Sequence, residues 1–381
     1  MEGAYRDKYA FVGEWYDNQA SLVRRYNLFY YPCDDTIEMY DLKNRKTFLK
    51  RVKVTGVTLE NFYIGSTLNI LGRLVKITSF ACEDTKAKLL KDMEVTFVLI
   101  KPIEANIAGK IITHLYQNGL RITKMKKSRL TADDVNYLFR YDVHDPTFPF
   151  LFEQLTDALV YGLELVGNNA VSNCAKLIGD RDPLKAEPNT IRALYGKDPV
   201  RNCVHCAPDP EAAVKDIEYF FPPPPFHSVR LNLTATLSNC TLCIVKPHAL
   251  REGKLGDIME QIDEAGFNIT ALNMFMVENI NANEFYEVYK GIVQEFKGMV
   301  DELSSGPCVA MEIVAKNKGL HTAVEFRKLV GPIDPEIARL LRPNTLRAKH
   351  GKTRVQNAVH CSDLAEDGLL EVEYFFKILD L

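Results

Sequence analysis

Residues 190–206 read TIRALYGKDPVRNCVHC, and residues 345–361 read TLRAKHGKTRVQNAVHC. In register, Arg192 pairs with Arg347, Asn202 with Asn357 and His205 with His360. Self-similarity at a fixed spacing marks an internal repeat, each copy being one folding unit. Working outward, VTFVLIKP (95–102) matches CTLCIVKP (240–247), bringing Lys101 and Lys246 into register, and DIEYFFP (216–222) matches EVEYFFK (371–377). The chain therefore carries one domain twice, over 91–221 and 239–381. A run of four prolines, Pro222-Pro223-Pro224-Pro225, ends any helix before it and favours extended backbone. It marks 222–238 as a linker.

Each copy alternates strand and helix signals. Val95–Ile100 is a short apolar run closed by Pro102, the pattern of a buried strand. Ile111, Ile112 and Leu115 follow at helical spacing, and Gly119 stands where a helix-ending glycine belongs. Residues 120–130 alternate in part, and Thr131-Ala-Asp-Asp opens another helix through an N-cap and early acids. In the second copy LGDIMEQIDEAGF is a helix with a glycine stop, and 268–276 is strand-like. A strand bearing Asn-x-x-His and a helix ending in EYFF close a β-α-β-β-α-β order. This predicts an α+β, ferredoxin-like fold with helices on one face of an antiparallel sheet. Residues 1–90 consist of short aromatic and β-branched runs between turns, which predicts a separate, mostly-β module.

The 381 residues include 47 Lys and Arg against 50 Asp and Glu, a net charge of −3. No basic excess exists to neutralise phosphates, so nucleic acid is not an expected partner. The N-terminus is charged and the apolar runs are short, so neither a signal peptide nor a membrane span is expected. Nine cysteines, an odd number, fit reduced thiols in the cytoplasm.

The repeated positions share chemistry. A lysine ends the first strand, an arginine precedes the last strand, and an asparagine stands three residues before a histidine. Lys and Arg clamp anionic oxygens, and a neutral imidazole beside them is a competent nucleophile toward phosphorus. A loose phosphoryl transition state needs positioning and charge stabilisation above all.

On these residues, both copies resemble the nucleoside diphosphate kinase family, whose signature around the nucleophile is N-x-x-H-G-S-D. Asn357-Ala-Val-His360-Cys361-Ser362-Asp363 departs from it only at Cys361. The resemblance implies transfer of a γ-phosphoryl group from a nucleoside triphosphate through the histidine to a nucleoside diphosphate, with Mg2+. It implies His360 as nucleophile, Glu371 orienting the imidazole, and Lys246, Tyr286, Arg327, Arg347 and Asn357 binding nucleotide. In the first copy it implies roles for His205, Lys101, Phe150, Arg192 and Asn202. That copy departs more: Ala175 replaces the first clamp arginine, Arg181 the phosphate threonine (Ile333 in the second copy), Ala207-Pro208 the Ser-Asp pair, and Asp216 the orienting glutamate. The expectation is turnover in the second copy and little in the first.

The motifs Glu14-Trp15-Tyr16-Asp17, Tyr30-Tyr31, Phe48-Leu49-Lys50-Arg51 and Tyr63-Ile64-Gly65 resemble the small, pleckstrin-like DM-ten domain. It precedes paired kinase domains in one branch of the family, found on ciliary doublet microtubules and at centrosomes. That implies docking to tubulin or a γ-tubulin complex, and a cytoplasmic, cytoskeletal placement in the cilium, axoneme or basal body. The two copies are expected to pack on each other as a pseudo-dimer within a monomer. Two rival signals are set aside. Cys203-x-x-Cys206 and Cys240-x-x-Cys243 are too widely separated for an ordinary zinc ribbon, so no metal site is assigned. The basic run 121–129 is read as a solvated strand edge.

Overall fold

The computed structural model describes residues 8–17, 20, 22–64, 66–89, 94–102, 105–222, 234–317 and 319–379. Gly65 and residues 223–233, the greater part of the expected linker, lie outside them; 234–238 carry no helix or strand. The chain divides into two compact units, Met1–Met93 with Met276–Cys308, and Glu94–Phe275 with Val309–Leu381.

The first unit is built on β1 (Tyr9–Asp17), β2 (Leu22–Tyr31), β3 (Thr36–Asp41), β4 (Lys46–Lys53), β5 (Thr67–Ile70) and β6 (Arg73–Phe80), followed by α1 (Glu83–Leu89). These strands form one antiparallel sheet in the order β4-β3-β2-β1-β6-β5. Strict alternation in β3 buries Ile37 and Met39 on one face. They join Phe11, Tyr26, Leu28, Tyr30, Val75 and Ile77 in the core. Most of the aromatic residues therefore fill a core, as aromatic area favours. Asn69 donates through Nδ2 to the carbonyl of Ser304, tying the 276–308 segment to this module.

The first copy runs β7 (Glu94–Ile100), α2 (Ala105–Gln117), β8 (Arg121–Arg129), α3 (Ala132–Leu138), α4 (Phe148–Leu155), β9 (Leu159–Gly167), α5 (Ala170–Ile178), α6 (Ile191–Tyr195), β10 (Val204–Cys206) and α7 (Pro210–Phe220). The second runs β11 (Cys240–Val245), α8 (Pro247–Arg251), α9 (Leu255–Glu264), β12 (Phe267–Met276), α10 (Asn279–Phe285), α11 (Phe296–Leu303), β13 (Pro307–Ala315), α12 (Thr322–Val330), α13 (Pro335–Leu341), α14 (Leu346–His350), β14 (Val359–Cys361) and α15 (Asp367–Glu373). Helix α3 starts at Thr131, whose hydroxyl accepts from the Asp134 amide in a capping box. Gly119 and Gly266 end α2 and α9 with φ of +78° and +88°, backbone that only glycine adopts freely.

One eight-stranded sheet, β10-β7-β9-β8-β12-β13-β11-β14, runs through both copies. Each half has its fourth strand beside its first and its second at the centre, the ferredoxin-like order. Two expectations change. Helices cover both faces, because successive residues of β7 enter different cores. Val98 and Ile100 pack with Ile111 and Leu115 of α2, whereas Phe97 and Leu99 pack with Val135 of α3 and Ile217 of α7. An apolar run without alternation is the signature of a strand buried on both sides.

Nor is 121–129 an edge. Strand β8 pairs with β9 and, through Lys126 opposite Asn273, with β12. Lys127 sits 5.1 Å from the Tyr161 ring and donates to the Ile269 carbonyl at 2.5 Å, and burial lowers its amine to about 8. Long lysine stems cover apolar surface in this way. Helices α2 and α9 cross beside this joint, with Lys110 3.5 Å from Glu260 and Thr113 donating to Asp257 at 3.0 Å. The core built on Ile111, Ile112 and Leu115 is continuous with Ile258, Met259 and Ile262.

Candidate functional site

In the second copy His360 lies opposite Ile244 in the β11/β14 ladder, and the Lys246 amide continues that ladder to the Ala358 carbonyl at 2.9 Å. Lys246 and His360 thus point from the same face at the strand ends, as diagonal neighbours. Ala358 has a φ of +68°, and its repeat mate Cys203 a φ of +69°. Non-glycine residues seldom hold this conformation, and it costs about 1–3 kcal/mol. Here it turns the chain into the histidine strand in both copies. The Ala358 amide donates to Nε2 of buried His248 at 3.2 Å.

Nε2 of His360 is 2.9 Å from Oε2 of Glu371 on α15, and the Ser362 hydroxyl donates to the same oxygen at 2.7 Å. His360 is 4% exposed. A carboxylate at Nε2 fixes the proton there and leaves the lone pair on Nδ1. Lys246, also buried, donates through Nζ to the Val355 carbonyl at 2.9 Å. Arg347 holds the turn before β14, donating to Gly331 O at 3.0 Å and Val359 O at 3.2 Å. Asn357 donates to Ile333 O at 3.0 Å, while its Oδ1 is buried without a partner among the described residues. Arg327 is more exposed and is tied to Asp363, donating to its carbonyl and lying 3.3 Å from its carboxylate. Tyr286 is fully buried at the end of α10, in the 276–308 segment, with Phe285 and Tyr289 rings 5.1 and 5.9 Å away.

The first copy repeats the frame with different wiring. His205 lies opposite Leu99, and Lys101 N bonds Cys203 O at 2.8 Å. Lys101 donates to Asn202 Oδ1 at 2.8 Å, occupying the acceptor that its mate Asn357 leaves open. Burial, then Arg192 and Arg181, lower the Lys101 ammonium to about 7. Arg192 donates to Gly179 O at 2.9 Å and Val204 O at 3.0 Å, the counterpart of Arg347. Arg181 reaches Asp142 at 3.1 Å and Asp145 at 2.7 Å. Phe150 stands two-thirds exposed on α4. The His205 ring packs 4.4 Å from Phe139. Burial, then Lys101, Arg192, Arg140 and Arg181, push His205 down to about 3. Asp216 binds Arg140 at 2.6 Å.

Sequence reasoning passed over His248, Phe139 and Arg140. A signal existed for the last two: Phe139-Arg140 occupies the repeat position of Tyr286-Glu287, a reversal of charge. Cys361 is a core thiol, pushed up to about 11 by burial.

The family profile described as "Nucleoside diphosphate kinase" matches residues 94–226 and 239–381. Nucleoside diphosphate kinase homolog 7 of Rattus norvegicus is 44% identical over 378 residues, covering 98% of this chain and 94% of that protein. The Mus musculus homolog 7 gives the same identity and coverage. The nucleoside diphosphate kinase of Aquifex aeolicus is 38% identical over 141 residues, 37% of this chain and 96% of its own. An orthorhombic crystal structure of the Aquifex aeolicus enzyme aligns with a TM-score of 0.34 at 37% identity, over 37% of this chain and 97% of its own. Matched twice by the profile and along nearly its whole length by the homolog 7 proteins, the chain belongs to the nucleoside diphosphate kinase family.

Proposed function

We propose that the second copy moves the γ-phosphoryl group of a nucleoside triphosphate onto His360 and then onto a nucleoside diphosphate. The observation that carries this is Glu371, 2.9 Å from Nε2 of His360. With the proton held at Nε2, Nδ1 attacks the γ-phosphorus. The Nδ1–P bond forms as the P–O bond to the β-phosphate breaks, and its electron pair leaves on the diphosphate. Glu371 offsets the positive charge that develops on the ring. The second half-reaction reverses these steps with another diphosphate. Lys246, Arg327 and Arg347 supply cations for the phosphates, and the Oδ1 of Asn357, without a partner among the described residues, suits a sugar hydroxyl. Magnesium enters with the nucleotide as part of the substrate. Among the described residues no cluster of three or more His, Cys, Asp or Glu suits a resident metal ion.

The test uses labelled Mg-ATP with wild type, His205→Ala and His360→Ala. Acid-labile label discharged by GDP and lost in His360→Ala supports the reading; label lost only in His205→Ala assigns the chemistry to the first copy. The alternative, a mainly structural microtubule-associated axonemal protein with little or no kinase turnover, is favoured by the altered wiring around His205, and absence of label from every folded sample would support it. Placement on ciliary or centrosomal microtubules belongs to the same proposal and is supported by the resemblance of residues 1–90 to a docking domain. Co-sedimentation of the full chain with microtubules tests it, and light scattering tests the expected monomer.

A further inference from the structure

Asp216 follows His205 by the spacing at which Glu371 follows His360, yet the two carboxylates have different partners. Asp216 is 1% exposed and receives Nη1 of Arg140 at 2.6 Å. Arg140 is itself fixed: Nη1 also donates to Tyr137 O at 2.9 Å, and its guanidinium lies 5.0 and 4.6 Å from the Tyr137 and Tyr141 rings. Nε2 of His205 is buried and has no partner among the described residues. Ala207 stands where Ser362 steadies Glu371. Arg140 follows the aromatic residue capping α3, whereas Glu287 follows the one capping α10.

Resting on the phosphohistidine reading above, we infer that Arg140 is a positioning residue that withholds Asp216 from His205 and so keeps the first copy from accepting a phosphoryl group. A ring attacking through Nδ1 gains positive charge that is shared with Nε2–H. In the second copy Glu371 receives that proton and offsets the charge. In the first, Nε2 is buried with no partner among the described residues, and the charges that bear most strongly on the ring are the cations Lys101, Arg192, Arg140 and Arg181. An uncompensated buried cation is strongly disfavoured. Lys101, Arg192 and Asn202 are retained, so much of the anion-binding frame persists although Ala175 replaces one clamp arginine, and the carboxylate that would serve the nucleophile is present but held by Arg140. The bonds made and broken are those of the second copy, and no additional reactant enters.

The test is a gain of function in the full chain carrying His360→Ala, incubated with labelled Mg-ATP. Arg140→Gln with Asp216→Glu removes the competing guanidinium and restores the longer carboxylate. Expected is a rise of at least about tenfold in acid-labile label on His205, discharged by GDP, the worth of one charge-assisted hydrogen bond. Arg140→Lys with Asp216→Glu keeps a cation on the carboxylate and stays at background. Equal label with and without Arg140, or no gain in a folded Gln–Glu variant, overturns the inference. A second readout needs neither turnover nor substitution: imidazole nitrogen NMR of the unmodified chain. Expected is a carboxylate-bonded Nε2–H for His360 and none for His205; such a bond at His205 overturns the inference. Absence of label from His360 in His205→Ala sinks the phosphohistidine reading by itself, and the imidazole spectra still decide the Arg140 contact.

Discussion

Gly109 and Gly256 are the same position in the two copies, and they face each other where α2 crosses α9. A Cβ on Gly109 would stand 2.6 Å from the Gly256 carbonyl and 2.8 Å from the Glu260 amide. Both obstacles are backbone, so neither rotates away. Gly109→Val is therefore expected to force the helices apart and destabilise the paired copies by about 1–3 kcal/mol, the usual cost of overpacking. Denaturant melts give the measurement. An unchanged midpoint would mean that the crossing is loose.

Replacing Glu371 by Gln removes the charge at Nε2 of His360 while keeping the shape of the side chain. Phosphohistidine formation should slow by about 10–100-fold, the equivalent of a charged hydrogen bond worth about 1.5–3 kcal/mol. Ser362→Ala should slow it less, since one contact to the carboxylate is lost and the carboxylate remains. Rapid-quench labelling separates these two effects from nucleotide binding.

Burial and the neighbouring cations push His205 down to about 3 in the folded chain, against about 6.5 when unfolded. Between these values the unfolded chain carries a proton that the folded chain lacks. Stability therefore rises with pH across the window and is lost on acidification through it, by up to about 1.4 kcal/mol per pH unit. His205→Asn should flatten the dependence between pH 4 and 6 by about one proton. An unchanged slope would show that the ring is hydrated.

Asn357 offers a buried acceptor with no partner among the described residues, whereas in Asn202 the equivalent oxygen is taken by Lys101. Asn357→Ala should weaken nucleotide binding to the second copy by about tenfold, the typical worth of a neutral hydrogen bond. Inorganic triphosphate, which has no sugar, should bind as before. Equal weakening of both ligands would assign Asn357 to the phosphates.

Glu312, fully buried on β13, accepts from the amides of Thr236 and Leu237 at 2.7 Å each and from the Thr270 hydroxyl. It anchors the chain where it enters the second copy. Glu312→Ala leaves those donors unsatisfied and should cost about 2–5 kcal/mol. Hydrogen exchange at the Leu237 amide should accelerate in step with the lost stability.

The strands were legible because their apolar runs are short and closed by Pro or Gly, and the repeat doubled every signal. The wrong inference about one-sided helices came from the same runs: Phe97 and Val98 enter opposite cores, which a run without alternation already implied. Lys127 misled because a basic strand reads as solvated, while its stem and its amine are both accommodated at the joint between the copies. Lys246 and His360 were marked by the repeat, and Glu371 by the family resemblance. Arg140 could not be tied to Asp216, 76 positions away, because no periodicity links a helix end to the far helix it meets. His248 carries no repeated partner and left no trace.

In a dimer of identical subunits, every contact across the two-fold axis appears twice. Here Lys110 with Glu260 and Thr113 with Asp257 occupy mated positions, yet one contact is an ion pair and the other a hydroxyl on a carboxylate. Joining the halves in one gene released each from copying the other. A substitution such as Arg140 then arises on one side only, and selection can spend one half on architecture while the other keeps its chemistry, a division of labour closed to identical subunits.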